Sequence, residues 1–502
     1  MINKTHIQSC YYQVRSAIIF IPLINNIVEN KMSDKKRIER DSMGEMEVDA
    51  DAYYGASTQR AVLNFPISTL RFSKEFNSNL ALIKKVAAET NIELGLLDVN
   101  LGKAIISSAD EVMEGKFEDH FVVDIFQTGS GTSTNMNANE VIANRSAEIL
   151  GAERGSRGLV HPNDHVNMGQ SSNDVIPTAI HITAASVISH SLIPALEKLS
   201  AVLKEKSIEF YDVIKTGRTH LQDATPIRLG QEFDGYAGQS DRAITRLQHA
   251  LSELTEVAIG GTAVGTGVNT HPQFADLICQ KLSKYLNLDI RETSNHFQAQ
   301  STLDNMVEAS GVTKTIAVSL LKIANDIRWL GSGPRAGFAE IALPEVQPGS
   351  SIMPGKVNPV IPESVCQVAA QVIGNDASVT IAGQSGNFEI NVMMPVAAYN
   401  LIQSVTLLAS VIDNFIEQCL RGIKSTSAGP NMVEKGLAIC TGLVPRIGYD
   451  ASAKIAKDAE KTGKTVREIA KEQTDLTDEE LQELLDPFQM TEPGITGSPS
   501  GG

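Results

Sequence analysis

Three stretches of the chain carry apolar residues at alternating spacings of three and four, each over several helical turns. Their apolar positions are Ile244, Leu247, Leu251, Leu254 and Ala258; Ala309, Val312, Ile316, Leu320, Ile323, Ile327 and Leu330; and Val405, Leu408, Ile412, Phe415 and Cys419. This period is typical of long amphipathic helices that pack at shallow angles. No alternating pattern of strands and helices competes with it. We therefore predict a mainly α fold with a central bundle of long helices.

The length and composition of the chain predict several domains. A chain of 502 residues with 42% hydrophobic residues can bury more than one core. We divide it into an N-terminal extension (1–31), an N-terminal helical domain (32–167), a central long-helix bundle (168–395) and a C-terminal helical domain (396–490). The last segment, 491–502, is rich in Gly, Pro and Ser, and we expect it to be disordered.

The N-terminal extension contains an apolar run at residues 17–24. This run is too short to span a bilayer and includes Pro22. Met32 is a plausible alternative start, so we expect the extension to be dispensable. The expected location is the cytoplasm, or the mitochondrion if residues 1–31 act as a transit peptide.

Charge and cysteine content narrow the classes of function. The net charge of −16 and pI near 5.2 argue against nucleic-acid binding. The five cysteines are scattered, without the spacing of metal or cluster ligands. We predict a protein that binds neither nucleic acid nor membrane and uses no metal or other cofactor.

Four polar segments interrupt the helical patterns, at residues 127–137, 171–174, 217–226 and 349–359. The first two are rich in hydroxyls and amides and lead directly into helices, where free backbone N–H groups favour anions. The last contains a lysine and an asparagine together with glycines and prolines, and the glycines and prolines exclude a continuous helix. A fifth segment, the glycine-rich turn at residues 260–267, is interpreted as close backbone packing.

These segments lack the motifs of several common reactions. The chain has no nucleophile elbow, zinc-protease motif, phosphate loop or dinucleotide fingerprint. Hydroxyls, amides and a lysine can instead hold a small dicarboxylate and stabilise the charge that develops when carbon beside a carboxylate loses a proton. A general base and a general acid would complete an elimination or addition.

Taken together, the segments resemble the signatures of the fumarase/aspartase superfamily, nearly from end to end of the chain. They are most similar to those of its class II fumarases, the cofactor-free kind. The matching segments are residues 127–132, 161–164, 171–174, 217–223 and 349–359. The resemblance implies a three-domain fold, reversible hydration of fumarate to L-malate (a step of the tricarboxylic acid cycle), and a homotetramer with active sites shared between subunits.

The resemblance also implies residue roles. Ser350 would be the base that removes the C3 proton of malate, its hydroxyl activated by donors such as Lys356. His220, oriented by Glu363, would act through a bound water that becomes the hydroxyl of malate. The substrate-binding residues implied are Ser130, Gly131, Thr132, Asn135, Ser171, Ser172, Asn173, Thr219, Ser351, Lys356 and Asn358.

A second dicarboxylate site is implied at His161, Pro162, Asn163 and Asp164. The family places a basic residue three positions before this histidine, where the present chain has Gly158. The neighbouring Arg157 is the candidate to replace it.

Two other functions stay open. Residues 360–363 are more similar to aspartate ammonia-lyases than to fumarases. Those enzymes, however, typically carry Gln, Thr and Asn at the positions of His220, Ser172 and His161, which favours a fumarase. The superfamily fold is also found in crystallins that have lost catalysis. The sequence contains Ser350, Lys356 and His220 together, which argues against such a purely structural protein.

Overall fold

The computed structural model describes residues 35–156 and 158–494. The predicted extension at residues 1–31, Arg157 and the end of the predicted tail (495–502) lie outside the described residues. The predicted mainly α fold is confirmed, since long helices form the core and each strand pairs with a single partner in the part of the chain described.

The N-terminal region begins with an antiparallel hairpin and continues as helices. Its elements are β1 (Lys36–Asp41), β2 (Gly44–Asp49), α1 (Ala56–Asn64), α2 (Lys74–Glu93), α3 (Val99–Met113) and α4 (Thr132–Ile149). Side chains cap two of these helices, because Ser73 accepts from Phe76 N and Asp98 from Asn100 N and Leu101 N. The apolar faces of α2, α3 and α4 pack together in the main core.

Five long helical segments form the central bundle. The elements of this region are α5 (Ser172–Val187), α6 (Ile193–Glu209), α7 (Leu229–Leu254), α8 (Phe274–Leu286), α9 (His296–Ser301), α10 (Asp304–Leu330), α11 (Val360–Gly383) and α12 (Met394–Gln418). A π-helical turn, Ile188–Leu192, makes α5 and α6 one continuous segment. Ser172–Glu209 and Met394–Gly422 are long and apolar enough to cross a membrane, but most of each is buried, as in the core helices of a globular domain.

Short strands pair in twos around the bundle. They are β3 (Ile214–Thr219), β4 (Gln222–Arg228), β5 (Glu256–Val257), β6 (Arg291–Glu292), β7 (Ile341–Ala342), β8 (Gly386–Asn387), β9 (Ile390–Asn391) and β10 (Lys424–Ser425). β3 and β4 form an antiparallel hairpin with a register shift at Gly217. A Cβ there would lie 2.5 Å from Thr225 O, so only glycine lets the two strands approach this closely.

The C-terminal region has its own small core. Its helices are α13 (Ala428–Val433), α14 (Val444–Ile447), α15 (Tyr449–Thr462), α16 (Val466–Gln473) and α17 (Asp478–Leu484), with 3₁₀ turns at Leu437–Leu443 and Gln489–Thr491. Capping boxes begin α16 at Thr465 and α17 at Thr477. Buried apolar residues between positions 439 and 485 form a core separate from the main one.

Two predicted boundaries need adjustment. The division at residue 395 falls inside α12, whose buried side chains belong to the main core. We therefore propose that the bundle extends to Gln418. The predicted disordered tail begins too early, because Thr491 and Glu492 are hydrogen-bonded to Arg228.

Candidate active site

The N-terminus of α5 presents three of the predicted substrate-binding residues. Ser171 caps the helix, accepting from Asn173 N, while Asp174 Oδ1 accepts from Ser171 N at 2.8 Å. This capping box holds Ser171, Ser172 and Asn173 half-buried at the positive end of the helix. The arrangement suits a carboxylate ligand.

Asp174 also fixes the glycine-rich turn against this helix. Its Oδ2 accepts from Gly260 N at 3.0 Å and Thr262 N at 2.9 Å, and Asn173 Nδ2 donates to Ala263 O at 2.7 Å. A Cβ on Gly261 would lie 2.1 Å from Gln300 Oε1. The turn therefore packs its backbone closely, as predicted. Its hydrogen bonds to Asn173 and Asp174 hold the first turn of α5 in place.

The hydroxyl-rich loop before α4 lies beside Ser172. Asn135 is buried, and its Nδ2 donates to Ser172 Oγ at 3.0 Å and to Asn167 Oδ1 at 3.2 Å. Ser130 and Thr132 share a hydrogen bond of 2.9 Å between their hydroxyls. Their side chains are half-buried near the start of α4. The structure thus brings two predicted groups, residues 130–135 and 171–173, into one cluster.

Gly131 contributes through its backbone. It adopts φ +74° immediately before α4, and a Cβ there would lie 2.9 Å from Ile176 Cγ2 on α5. Glycine therefore permits both the left-handed turn and the close contact between the two helix starts.

Lys84 is a fully buried lysine whose amine binds residues next to this cluster. Its Nζ donates to Asn167 Oδ1 and Gln170 Oε1, each at 2.9 Å. Burial lowers the pKa of Lys84 to about 7, an effect that the negative charge of Asp174 partly opposes. The sequence prediction missed this residue. Its signal was a lysine on the apolar face of α2, between the buried Leu80 and Ala87.

The lowered pKa of Lys84 predicts stability that rises with pH. Between about pH 7 and its unfolded value of 10.5, the unfolded chain binds a proton on Lys84 that the folded chain lacks. Raising the pH from about 7 to about 9.5 should therefore increase the unfolding free energy of the unaltered chain by about 3 kcal/mol relative to Lys84→Met. Urea unfolding at both pH values measures the difference.

The matched control is Lys204→Met, since Lys204 is half-exposed on α6 and paired with Asp241. This control should keep the pH dependence of the unaltered chain. Equal pH dependence in Lys84→Met and the unaltered chain would show that Lys84 stays protonated when folded.

His220 lies at the exposed tip of the β3–β4 hairpin, next to Thr219. The two turn residues, His220 and Leu221, have φ values of +57° and +59°. Positive φ at both positions matches the twist of a two-residue hairpin, but it costs about 1–2 kcal/mol for each residue with a side chain. The turn therefore holds His220 at an exposed position.

A buried ion cluster anchors β3 of this hairpin along its length, at Lys215 and at Arg218. Arg218 Nη2 donates to Glu340 Oε1 at 2.8 Å, and Lys215 Nζ lies 2.9 Å from Glu232 Oε1 and 3.2 Å from Glu340 Oε2. The guanidinium of Arg218 also stacks on Phe338. Because Glu340 directly precedes β7, the cluster links the hairpin to the segment that leads into the loop at 349–359. Arg218, beside the predicted site in sequence, therefore acts as an anchor.

The loop at residues 349–359 supplies Ser350 with two hydrogen-bond donors. Ser350 Oγ accepts from Ile352 N at 3.3 Å and Met353 N at 2.9 Å. Backbone N–H groups aimed at an oxygen stabilise negative charge on it. The predicted activating donor, Lys356, instead directs its Nζ to Asn358 Oδ1 at 2.6 Å. In this structure the donors that can favour a Ser350 alkoxide are therefore backbone groups.

Asn358 closes the same loop, because its Nδ2 donates to Gly349 O at 2.6 Å. Ser351 and Lys356 are exposed on it, and Glu363 is partly buried in the first turn of α11. In the described part of the chain, His220 makes no hydrogen bond or ion pair with Glu363. The predicted pairing of these two residues stays a prediction.

The predicted site thus consists of three groups: the cluster at 130–135 and 171–173, the hairpin tip at 219–220, and the loop at 349–359. Across residues 35–156 and 158–494, no hydrogen bond or ion pair joins one group to another. The hairpin tip and most of the loop are exposed. Within the described part of one chain, the three groups are therefore not linked directly to each other.

The segment predicted as a second dicarboxylate site forms a tight turn. His161 Nδ1 accepts from Asn163 N and Asp164 N at 3.3 and 3.1 Å, and it lies 3.2 Å from Asp164 Oδ2. Pro162 is buried, while Asn163 and Asp164 are exposed. Local contacts therefore occupy this imidazole nitrogen, and the second site stays a prediction.

Comparisons with known proteins agree with the fold. Residues 44–374 match the family model described as lyase, and residues 439–492 match the fumarase C C-terminus. The chain is 52% identical over 465 residues to a class II fumarate hydratase of Halobacterium salinarum, covering 92% of this chain and 99% of that one. It is 47% identical over 467 residues to an aspartate ammonia-lyase of Bacillus sp, covering 93% and 100%.

A solved structure shows the same architecture. The crystal structure of a class II fumarase from Schistosoma mansoni has a TM-score of 0.89 and 39% sequence identity, covering 91% of this chain and 99% of that one. The matched family models and the shared architecture show that the protein is a lyase of the fumarase/aspartase superfamily. Within that superfamily, the chain belongs to the class II fumarate hydratases.

Proposed function

We propose that this chain catalyses the reversible hydration of fumarate to L-malate by general acid and base catalysis. The proposal depends most on the hydrogen bonding of Ser350. Its Oγ accepts hydrogen bonds from two backbone N–H groups of an exposed loop. A serine oxygen stabilised in this way can exist as an alkoxide and accept a proton from carbon. The similarity to class II fumarate hydratases supports the assignment of the substrate.

In the direction of malate dehydration, Ser350 Oγ takes the C3 proton of malate. The electron pair of the broken C–H bond moves into the adjacent carboxylate, which becomes a dianionic intermediate. That pair then forms the C2–C3 double bond as the C2 hydroxyl leaves, receiving a proton through His220 and departing as water. Hydration runs through the same steps in reverse.

The donor cluster at the starts of α4 and α5 suits the substrate carboxylates. Ser172, Asn173 and Thr132 offer side-chain donors at helix N-termini, where partial positive charge favours anions. Lys356 and Asn358, on the loop at residues 349–359, provide a cation and an amide for the second carboxylate. We assign these residues to substrate binding.

We propose that the complete site forms in a homotetramer. Among the described residues no hydrogen bond or ion pair joins the three groups, which fits a site that residues of a second copy complete. The bundle helices also expose apolar side chains, with Val318 52% and Ile381 59% exposed. A Cβ on Gly311 or Gly374 would meet no neighbouring atom, which leaves room for a helix of another subunit. Light scattering tests the tetramer mass.

Aspartate ammonia-lyase is the second candidate, supported by the 47% identity to one such enzyme. We expect fumarate to be consumed in buffer without ammonium, with malate as the product, because His220 and Ser172 occupy positions where aspartases typically differ. Absorbance at the fumarate band and NMR of the product measure both reactions. Added EDTA should leave the rate unchanged. Consumption only with ammonium, giving aspartate, would replace the proposed function.

A further inference from the structure

A buried arginine connects the His220 hairpin to the end of the described chain. Arg228 is the last residue of β4 and is only 2% exposed. Its guanidinium lies between two aromatic rings, 4.1 Å from the centroid of Tyr211 and 3.9 Å from that of Phe488. Its Nε donates to Thr491 Oγ1 and its Nη2 to Glu492 Oε1, both at 2.8 Å. A planar, forked cation suits both the stacking and the paired hydrogen bonds.

Further bonds strengthen this contact. Gln231 Nε2 donates to Thr491 O at 2.9 Å, and Tyr211 OH donates to Glu492 Oε1 at 3.1 Å. Asp212, the other carboxylate near Arg228, is 4.0 Å away and exposed. We call residues 488–492 the C-terminal clasp. Glu492 of the clasp is therefore the carboxylate nearest to the buried charge of Arg228.

The hairpin needs such support at its base. A hairpin of two strands is marginally stable by itself, and this one carries two residues with positive φ at its tip. Ile214 pairs with Arg228 at the base and Thr219 with Gln222 at the tip. Five residue steps of about 3.3 Å put the tip roughly 17 Å from the base. The Arg218–Glu340 ion pair holds β3 near the tip, and Arg228 with the clasp holds β4 at the base, so both attachments together fix the direction of the hairpin and the position of His220.

We propose that the C-terminal clasp, through Arg228, is a positioning element for His220. The inference rests on the proposed function, because that function assigns His220 to the water step. Among the described residues, the clasp makes no hydrogen bond to the donor cluster near Ser172 or to the Ser350 loop. Loss of the clasp should therefore impair the step that uses the hairpin and spare the proton transfer by Ser350.

The test uses the full chain with the double substitution Thr491→Val and Glu492→Gln, and separately Arg228→Lys. At saturating malate, we expect the rate of dehydration to fall about tenfold through misplacement of His220. Exchange of the malate C3 hydrogen with solvent should stay within twofold of the unaltered chain. Hydrogen–deuterium exchange of backbone amides at residues 214–228 should become faster, while that of α10 stays unchanged.

Glu417→Gln is the matched control, because Glu417 forms an exposed ion pair with Arg421 on α12. It should retain full activity. Normal dehydration in both clasp variants, or equal loss of dehydration and C3 exchange, would overturn the inference. If Arg228→Lys fails to fold, the double variant still tests the inference, because it retains Arg228 and removes only its partners in the clasp. If the unaltered chain lacks hydratase activity, the proposed function fails. Unchanged amide exchange at residues 214–228 in the clasp variants would separately show that the clasp does not hold the hairpin.

Discussion

Replacing Ser350 by alanine is expected to lower kcat at least ~10²-fold and to abolish solvent exchange of the C3 hydrogen of malate. The reason is that Ser350 Oγ, held by the N–H groups of Ile352 and Met353, is the atom assigned to accept this proton. Lys356, the titratable side chain of the loop, directs its Nζ to Asn358 Oδ1. NMR of malate incubated with the variant in D₂O measures the exchange.

Circular dichroism and light scattering should show an intact fold and assembly in Ser350→Ala, because the side chain is removed from an exposed loop. Near-normal C3 exchange in this variant would contradict the assignment of Ser350 as base. The loop would then act as a lid that closes over the substrate.

Replacing His220 by asparagine is expected to lower kcat for hydration by at least ~10²-fold while part of the C3 exchange is retained. Asparagine cannot carry the proton that the imidazole gives to the departing hydroxyl. Removal of the C3 proton precedes that step and uses Ser350 on a different loop, so it can continue. The two assays are coupled fumarate production and deuterium incorporation into malate.

His249→Asn is the control for this variant, because His249 is exposed on α7 and distant in sequence from each predicted group. It should keep both activities. Complete loss of C3 exchange in His220→Asn would mean that His220 takes part in proton abstraction, and the division of roles between the two residues would be wrong.

The sequence predicted the helices well because their signal is local. The spacing of Ile316, Leu320 and Ile323 predicts one apolar face, and all three are buried in α10. The segment at 171–174 likewise predicts a helix start, which the capping box of Ser171 and Asp174 provides. The boundary of the bundle was less predictable, because the apolar period of α12 does not show which core it joins.

The supporting residues of the site could not be predicted, because their partners are distant in sequence. Lys84 lies on α2, but it binds Asn167 and Gln170, which precede α5. Glu340 pairs with Lys215 and Arg218 from another part of the chain. A charged residue on an apolar helix face was the only sign of Lys84, and such a sign does not identify the partner.

By itself, the sequence determined the mainly α fold, the polar segments that interrupt it and the residue types that suit proton transfer to and from a dicarboxylic acid. These properties depend on periodicity and side-chain chemistry, which neighbouring residues define. Tertiary structure alone decided that Lys84 binds Asn167 and Gln170, that Glu340 holds Lys215 and Arg218, and that Thr491 and Glu492 hold Arg228. Those contacts depend on how distant segments pack, since buried charges and strained turns persist only where surrounding atoms compensate them.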